Sequence, residues 1–313
     1  MKRLAIFFTQ IFFISLLCGV DYSFFKYDIY LDCDYFSGES YDALSYFEKL
    51  QTKEKVKSIE CSITSFRDKG YDGEPLEKAV TEKTKLKKFY NEKGLLVREE
   101  GSFRDFEYLE ITYNDKGYIA GHNPEGKNYV YISENQRDCY NTSGNFQYRQ
   151  TIKNENNVYT VFIEEAKGSA NTWTRISEKL NPKKRSLKIR NKSVYTYDVN
   201  RILKYEGTSY NYMGEESFFS TYDFEYDSDN KIKTVSYTGV DLKKEKEIGN
   251  RISTFYYDKD GHVAKIICKF LDGSKTITSE YTNYDEYGNW HNVKTYYQGR
   301  LSSETNRTIE YRE

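Results

Sequence analysis

A seven-residue phrase returns along most of this chain: an aromatic residue, Asp or Asn, two polar residues, Gly or Asn, one variable residue and then an apolar one. It reads FYNEKGLLV from Phe89, TYNDKGYIA from Thr112, TYDVNRILK from Thr196 with one residue fewer, EYDSDNKIK from Glu225, YYDKDGHVA from Tyr256 and NYDEYGNWH from Asn283. A degenerate copy, TIKNENNVYTV, starts at Thr151. Each position has a mechanical reason. Asp or Asn accepts a hydrogen bond from the backbone two residues on, and polar residues tolerate the type I turn that follows. Gly or Asn takes the left-handed conformation that closes such a loop with a bulge. The aromatic and apolar residues flank the turn and pack across two antiparallel strands. The phrase therefore encodes a β-hairpin.

In the C-terminal half the phrase tyrosines Tyr197, Tyr226, Tyr257 and Tyr284 are 29, 31 and 27 residues apart. That interval holds two strands of about ten residues and a second turn at the opposite end. LDGS from Leu271 is one such turn, after a strand in which Ala264, Ile266, Cys268 and Phe270 alternate with Lys265 and Lys269; YTGVDLKKEKEIGN from Tyr237 holds a longer one. Upstream, KVKSIECSITSF from Lys55 and EKTKLKKFY from Glu82 read as a first hairpin with RDKGYDGEPLEKAVT as a long irregular tip. The expectation is an all-β fold over 55–313: about fourteen strands in an elongated, curled antiparallel meander of repeated β-hairpins. A short helix over 37–51, with Tyr41, Leu44, Phe47 and Leu50 on one stripe, is placed over the first edge. The basic stretch NPKKRSLKIRNKS from Asn181 reads as a solvated loop entering a strand, with an anion site as the alternative.

The first nineteen residues differ from the rest: Lys2 and Arg3 precede an apolar run from Leu4 to Leu17. That is the n-region and h-region of a signal peptide over 1–19, too short for a comfortable membrane span. Cys18 stands where a bacterial lipoprotein signal carries its lipidated cysteine, although Leu17 replaces the usual small residue before it; otherwise cleavage falls near Gly19. Residues 20–54 form an N-terminal extension that contains the helix, and 55–313 the repeat domain. Cys33, Cys61, Cys139 and Cys268 remain beyond the leader. Their irregular spacing fits no compact disulfide framework, so isolated cysteines on strands are favoured over bridges. Export points to the periplasm, outer membrane or exterior. The near-cancelling charge, 47 basic against 48 acidic residues, argues against a nucleic-acid partner.

The phrases EYDSDNKIKTVSY, YYDKDGHVAKI and YDEYGNWHNVKTYY resemble the Tyr-Asp (Rhs-type) repeats of secreted bacterial proteins, with the stretch 130–193 poorly matched. The resemblance implies curled β-sheet scaffolding and brings no catalytic residues. This chain's period is longer than the usual repeat, it is too short to enclose a toxin, and it shows no self-cleaving region.

A search for chemistry returns little. His262 and His291 occupy the turn exits of different repeats, but no Cys or carboxylate stands at ligand spacing, so no metal is expected. Glu99 with Glu100, and Glu164 with Glu165, are adjacent on strands and point to opposite faces. Phosphate loops and nucleophile elbows are absent, and no cofactor is expected. Binding is the stronger reading, with Tyr287, Trp290 and Tyr118 as candidates for stacking on a glycan or protein partner of the envelope or cell surface. For Trp290, packing across its hairpin is favoured over stacking, and Tyr287 is the better candidate because its turn position points to solvent. A noncatalytic binding or structural module is thus set against a secreted glycan-active enzyme, which needs two convergent carboxylates, and a periplasmic chaperone or inhibitor that offers a sheet edge.

Overall fold

The computed structural model describes residues 55–69, 75–101, 108–115, 119–123, 126–133, 135–166, 187–198, 201–211 and 213–313. The first half holds β1 (Val56–Lys69), β2 (Pro75–Tyr90), β3 (Leu96–Gly101), β4 (Tyr108–Tyr113), β5 (Ile119–Asn123), β6 (Lys127–Ser133), β7 (Gln136–Tyr140), β8 (Phe146–Glu155) and β9 (Val158–Ala166). The second half holds β10 (Leu187–Asp198), β11 (Arg201–Tyr210), β12 (Glu216–Tyr226), β13 (Ile232–Asp241), β14 (Lys246–Glu247), β15 (Arg251–Tyr257), β16 (Val263–Phe270), β17 (Thr276–Tyr284), β18 (Trp290–Tyr297) and β19 (Arg300–Tyr311). All described pairings are antiparallel and join sequence neighbours, except that β15 skips the two-residue spur β14 to pair with β13 and that the first strand also pairs with the last. The strand content follows from the alternation and the recurring turns.

The expected open ribbon is corrected at its ends. β1 pairs with β19 as well as with β2, so the first and last strands are neighbours and the other eighteen strands close into a barrel around the spur. An exposed edge is a row of unpaired backbone groups, and closure removes it. The seam is long, running from Val56↔Tyr311 to Ser65↔Ser303. The strand count exceeds the expected fourteen because hairpins such as β6–β7 carry no copy of the phrase. The irregular tip proves mostly strand, since β1 runs to Lys69 and β2 starts at Pro75. The helix expected over 37–51 lies outside the described residues.

The register carries one face around the ring. From Ile59, direct pairing passes to Lys88, Glu99 and Leu109, and on the other side to Ile309. Further round, Tyr195, Tyr205, Tyr222 and Tyr237 stand opposite one another in succession, then Arg251. Tyr205 and Ile266 on this face are 0% exposed, whereas Lys85 on the other keeps 78% of its side chain exposed. Side chains on a convex wall splay apart and side chains on a concave wall converge, so the apolar, aromatic face is the inside. Alternation then puts ion pairs outside, among them Lys265–Glu280 at 3.0 Å, Lys204–Glu206 at 2.9 Å and Arg98–Glu110 at 3.1 Å.

Candidate functional site

The recurring phrase builds a row of rigid corners. At Asn91, Asp227, Asp258 and Asp285 the first residue's N–H donates to the carbonyl four residues on at 2.8–2.9 Å, and a fourth-position N–H closes back on it. The side-chain Oδ1 of each accepts two further amides, for Asp258 those of Asp260 and His262, both at 2.9 Å. Gly261 sits at φ 84° and Asn230 at 65°, the left-handed position that the phrase reserves for Gly or Asn. These corners lie at the barrel end where β1 begins. The same construction occurs at Asn141 and Asn211 at the opposite end, in YNTSGNF and YNYMGEE, two copies the sequence reading missed although the residues carry the signal. The degenerate copy is instead a two-residue turn, with Asn156 and Asn157 at φ 49° and 65° between paired Glu155 and Val158.

The tyrosine of the phrase does more than pack across its own hairpin. Tyr113 donates its hydroxyl to the Leu96 carbonyl at 2.7 Å, Tyr257 to Ile232 at 2.8 Å and Tyr284 to Val263. Each stitches one corner to the exit of the corner before it. A phenylalanine cannot do this, and the described copies carry Tyr at that position without exception. Burial first, then a neighbouring aspartate, pushes the Tyr257 and Tyr284 hydroxyls well above the usual tyrosine range. At the seam Tyr311 continues the row by donating to the Asp285 carboxylate, and Arg312 reaches the carbonyls of Val56, at 2.6 Å, and Tyr90.

This geometry relocates the sequence candidates. Trp290 is 4% exposed on the inward face, with Tyr281 edge-on at 5.7 Å and the Arg307 guanidinium 3.7 Å from its ring centre. It packs across its hairpin and is not an exposed platform. Tyr287 does not point freely to solvent: it is half-buried, with Tyr311 4.6 Å away and the Lys55 ammonium 5.3 Å from the ring centre. A stacked sugar would have to displace these partners. Tyr118 and Cys18 lie outside the described residues. His262 stacks on Tyr284 at 4.5 Å with Nδ1 3.3 Å from Asp258 Oδ2. His291 instead bridges the Arg307 carbonyl, at 2.9 Å, and Asp285 Oδ2, at 3.3 Å. Both histidines are held by the corners of their own repeats, and no group of three or more His, Cys, Asp or Glu able to hold a metal occurs among the described residues. Cys61, Cys139 and Cys268 all face inward and none forms a disulfide. Glu99 and Glu100 take opposite faces as expected, Glu99 inward and buried, Glu100 outward with Arg98 at 2.8 Å.

The inner wall is the part of the molecule with the chemistry of a site, and the sequence reading did not single it out. Its buried charges are Lys88, Arg137, Arg251 and Arg307 against Glu99. Arg137 donates to Gln150 Oε1 at 2.7 Å and lies 4.1 Å from the Tyr129 ring centre; Arg251 lies 3.9 Å from that of Tyr237. An arginine on an aromatic face keeps part of its electrostatic stabilisation when water is removed. Tyr237 itself is pushed up to about 12, by burial first and then by Tyr222, against the opposing pull of Arg251. Access differs around the ring. Most mid-strand inward residues are buried on β10–β17, among them Tyr195, Tyr205, Ser220, Val235, Ser253, Phe255, Ile266, Cys268, Ile277 and Ser279. On β18, β19, β1 and β2 the inward Val293, Thr295, Thr305, Cys61, Ile63, Thr84 and Leu86 are only half-buried.

No protein-family model matches the sequence, and no curated protein matches it. Solved structures do. A porin-like protein from Bacteroides uniformis is 14% identical, with a TM-score of 0.40 over 82% of this chain and 96% of its own. One from Bacteroides vulgatus is 10% identical, with a TM-score of 0.39 over 67% of this chain and 95% of its own. A Vibrio parahaemolyticus domain described as outer membrane lipoprotein-sorting is 11% identical, with a TM-score of 0.26 over 82% and 85%. Similarity at these levels carries no argument about ligand, location or activity, which rest on the chain's own residues.

Proposed function

We propose that this chain is exported through its N-terminal segment and works in the cell envelope or outside the cell as a noncatalytic, water-soluble β-barrel binding module of the Tyr-Asp repeat type. The observation that carries this is the assignment of the two faces. A barrel in a bilayer turns an apolar band outward and can keep its lumen polar. Here the outward positions hold Lys265–Glu280, Lys204–Glu206 and Lys57–Glu310, while Ile, Tyr and Phe point inward. Charges on a lipid-facing wall cost about 2–4 kcal/mol each near the midplane, so a ring of them keeps the wall in water. No helix among the described residues is long and apolar enough to cross a membrane either. Membrane attachment then comes from lipid on Cys18.

The noncatalytic reading is supported by what the polar residues do. Asp258, Asp285, His262 and His291 are taken up in turn hydrogen bonds. Recruitment of a partner strand, the chaperone-like alternative, finds no free edge at the seam, where β1 and β19 pair. Expression of 20–313 behind a cleavable export leader tests the reading. The expected product is soluble and monodisperse without detergent; extraction only in detergent, or spontaneous insertion into vesicles, overturns it. Mass spectrometry of the native N-terminus decides separately whether Cys18 carries lipid.

A further inference from the structure

We propose that the barrel end opposite the Asp258 and Asp285 corners rests on a zwitterionic lipid surface, which Met213, Ile248, Leu271 and Tyr297 enter from the tips of four successive hairpins. This names the partner of the binding-module reading and rests on that reading. The four side chains are 59%, 42%, 61% and 37% exposed. They belong to the turns β11–β12, β13–β15, β16–β17 and β18–β19, which follow one another around one rim at intervals of about 10 Å, two strand spacings. The other large apolar residues of comparable exposure, Phe66, Val130, Leu203 and Tyr256, stand singly within β1, β6, β11 and β15. A scattered exposed apolar residue needs no explanation, but one on each successive tip of an arc does.

The tips are tied to one another. Leu242 donates its amide to the Ser217 carbonyl at 3.1 Å, Leu271 to Asn250 at 2.8 Å and Gln298 to Thr276 at 2.8 Å, and the Met213 amide is held by Asn211 Oδ1 at 2.9 Å. Met213 fills the turn position that carries Lys93, Asp229 and Asp260 in corners of the other end, where Tyr287 is half-buried against Tyr311. The spacing selects the partner. A protein interface gathers its anchors in one buried centre, whereas single side chains about 10 Å apart with charges between them each find a slot in a deformable phase, the lipid headgroup region. The charges select the headgroup. Lys243, Lys244 and Lys246 share a tip with Asp241, Glu245 and Glu247, and Lys275 shares one with Asp272; Glu215 and Glu216 follow Met213, and Arg300 follows Tyr297. Signs so interleaved and nearly balanced match headgroups that carry both a phosphate and an ammonium, and exert little net pull towards an anionic surface. Lysine stems lie along such an interface with their ammonium groups in water.

The test uses the chain 20–313, produced without lipid, and vesicles of dioleoylphosphatidylcholine. The protein should co-sediment with them equally at low and high salt, no better when phosphatidylglycerol is mixed in, and should return to solution on dilution. Leu271→Glu should weaken the partition about tenfold, and Leu271→Glu combined with Ile248→Glu should leave none measurable. Val130→Glu, on the outer wall, should bind as the parent does. Urea midpoints of these variants should match the parent's, because all three positions are exposed. Brominated lipid should quench the tryptophan introduced by Leu271→Trp and not the one introduced by Val130→Trp. A soluble, monodisperse protein that ignores the vesicles, or that loses as much through Val130→Glu as through Leu271→Glu, overturns the lipid contact alone. Binding confined to anionic vesicles and removed by salt overturns it as well, and a dimer that Leu271→Glu dissociates gives the rim to a second copy instead. Protein that stays with the vesicles on dilution has inserted, which defeats the water-soluble reading together with the contact.

Discussion

The sealed arc, β10–β17, and the seam arc, β18, β19, β1 and β2, have the same antiparallel ladders and the same in-out alternation, yet mid-strand inward side chains are buried in the first and several are only half-buried in the second. The difference lies in side-chain sizes along the inward face. In the sealed arc tall residues stand beside very small ones. The Tyr205 hydroxyl lies over Gly207, 2.6 Å from where a Cβ would be, and Tyr237 lies over Gly239 in the same way, at 2.7 Å. Successive tyrosines Tyr195, Tyr205, Tyr222 and Tyr237 lean on one another with ring centres 4.7–5.7 Å apart. Ser220, Ser253 and Ser279 are the small partners elsewhere, each 1% exposed. The seam arc uses Thr, Ile, Val and Cys, side chains of similar height that stand side by side and cannot lie across one another. A closed wall can thus be sealed or left open by residue size alone.

Truncation gives the largest separation between the arcs. Tyr205→Ala removes a fully buried ring flanked by two others, and its expected cost is about 3–5 kcal/mol in urea unfolding. Thr305→Ala, at a half-buried position, should cost less than about 1 kcal/mol. Equal losses would mean the seam arc is packed as tightly as the rest. Enlargement gives the next separation with opposite signs. Ser253→Leu forces extra volume into a sealed wall and should destabilise by about 1–3 kcal/mol, whereas Val293→Leu, at a half-buried position, should be neutral or stabilising. A Val293→Leu protein as unstable as Ser253→Leu would mean that the seam arc is packed as tightly as the sealed one.

Much of this was legible in the sequence, and the part that was not has a physical reason. The corners were readable because each is made by five consecutive residues, and Asp258, Asp285 and their partners behave as local chemistry dictates. The two-faced strands around Ile266 and Cys268 were readable from alternation. Closure was not, because β1 and β19 meet across more than 200 residues through backbone pairing that any extended segment can offer. Tyr287 was misplaced for the same reason: its neighbours Tyr311 and Lys55 come from the seam, as does the Arg307 that lies on Trp290. The polar pair Asp138–Arg149, bidentate at 2.7 and 3.1 Å and buried on the outward face of β7 and β8, gave no signal at all, since a charged residue on a strand ordinarily reads as solvated.

The corners at the ends of the two arcs allow the finest comparison, through pH. In Asp258, which caps the sealed arc, burial alone would raise the carboxyl, but the amides of His262 and Asp260 outweigh it and hold it below the usual range. Asp285, beside the seam, is likewise lowered against burial, by the Tyr311 hydroxyl first and then by the Asn289 amide and His291. A carboxyl lowered in the folded state contributes stability that is present above its unfolded value near about 3.9 and lost as pH falls through the folded value. Each contribution should stay below about 1 kcal/mol, because both groups are partly solvated. Asn91 and Asn211 build the same corner without a titrating group. Asp258→Asn and Asp285→Asn should therefore each flatten the fall in urea midpoint between pH 5 and pH 3, and Asp285→Asn should flatten it more, since its carboxylate also receives Tyr311 across the seam. Asp258→Asn producing the larger flattening would mean that the Tyr311 bond does not couple the corner to closure, and that acid loosens the sealed arc first.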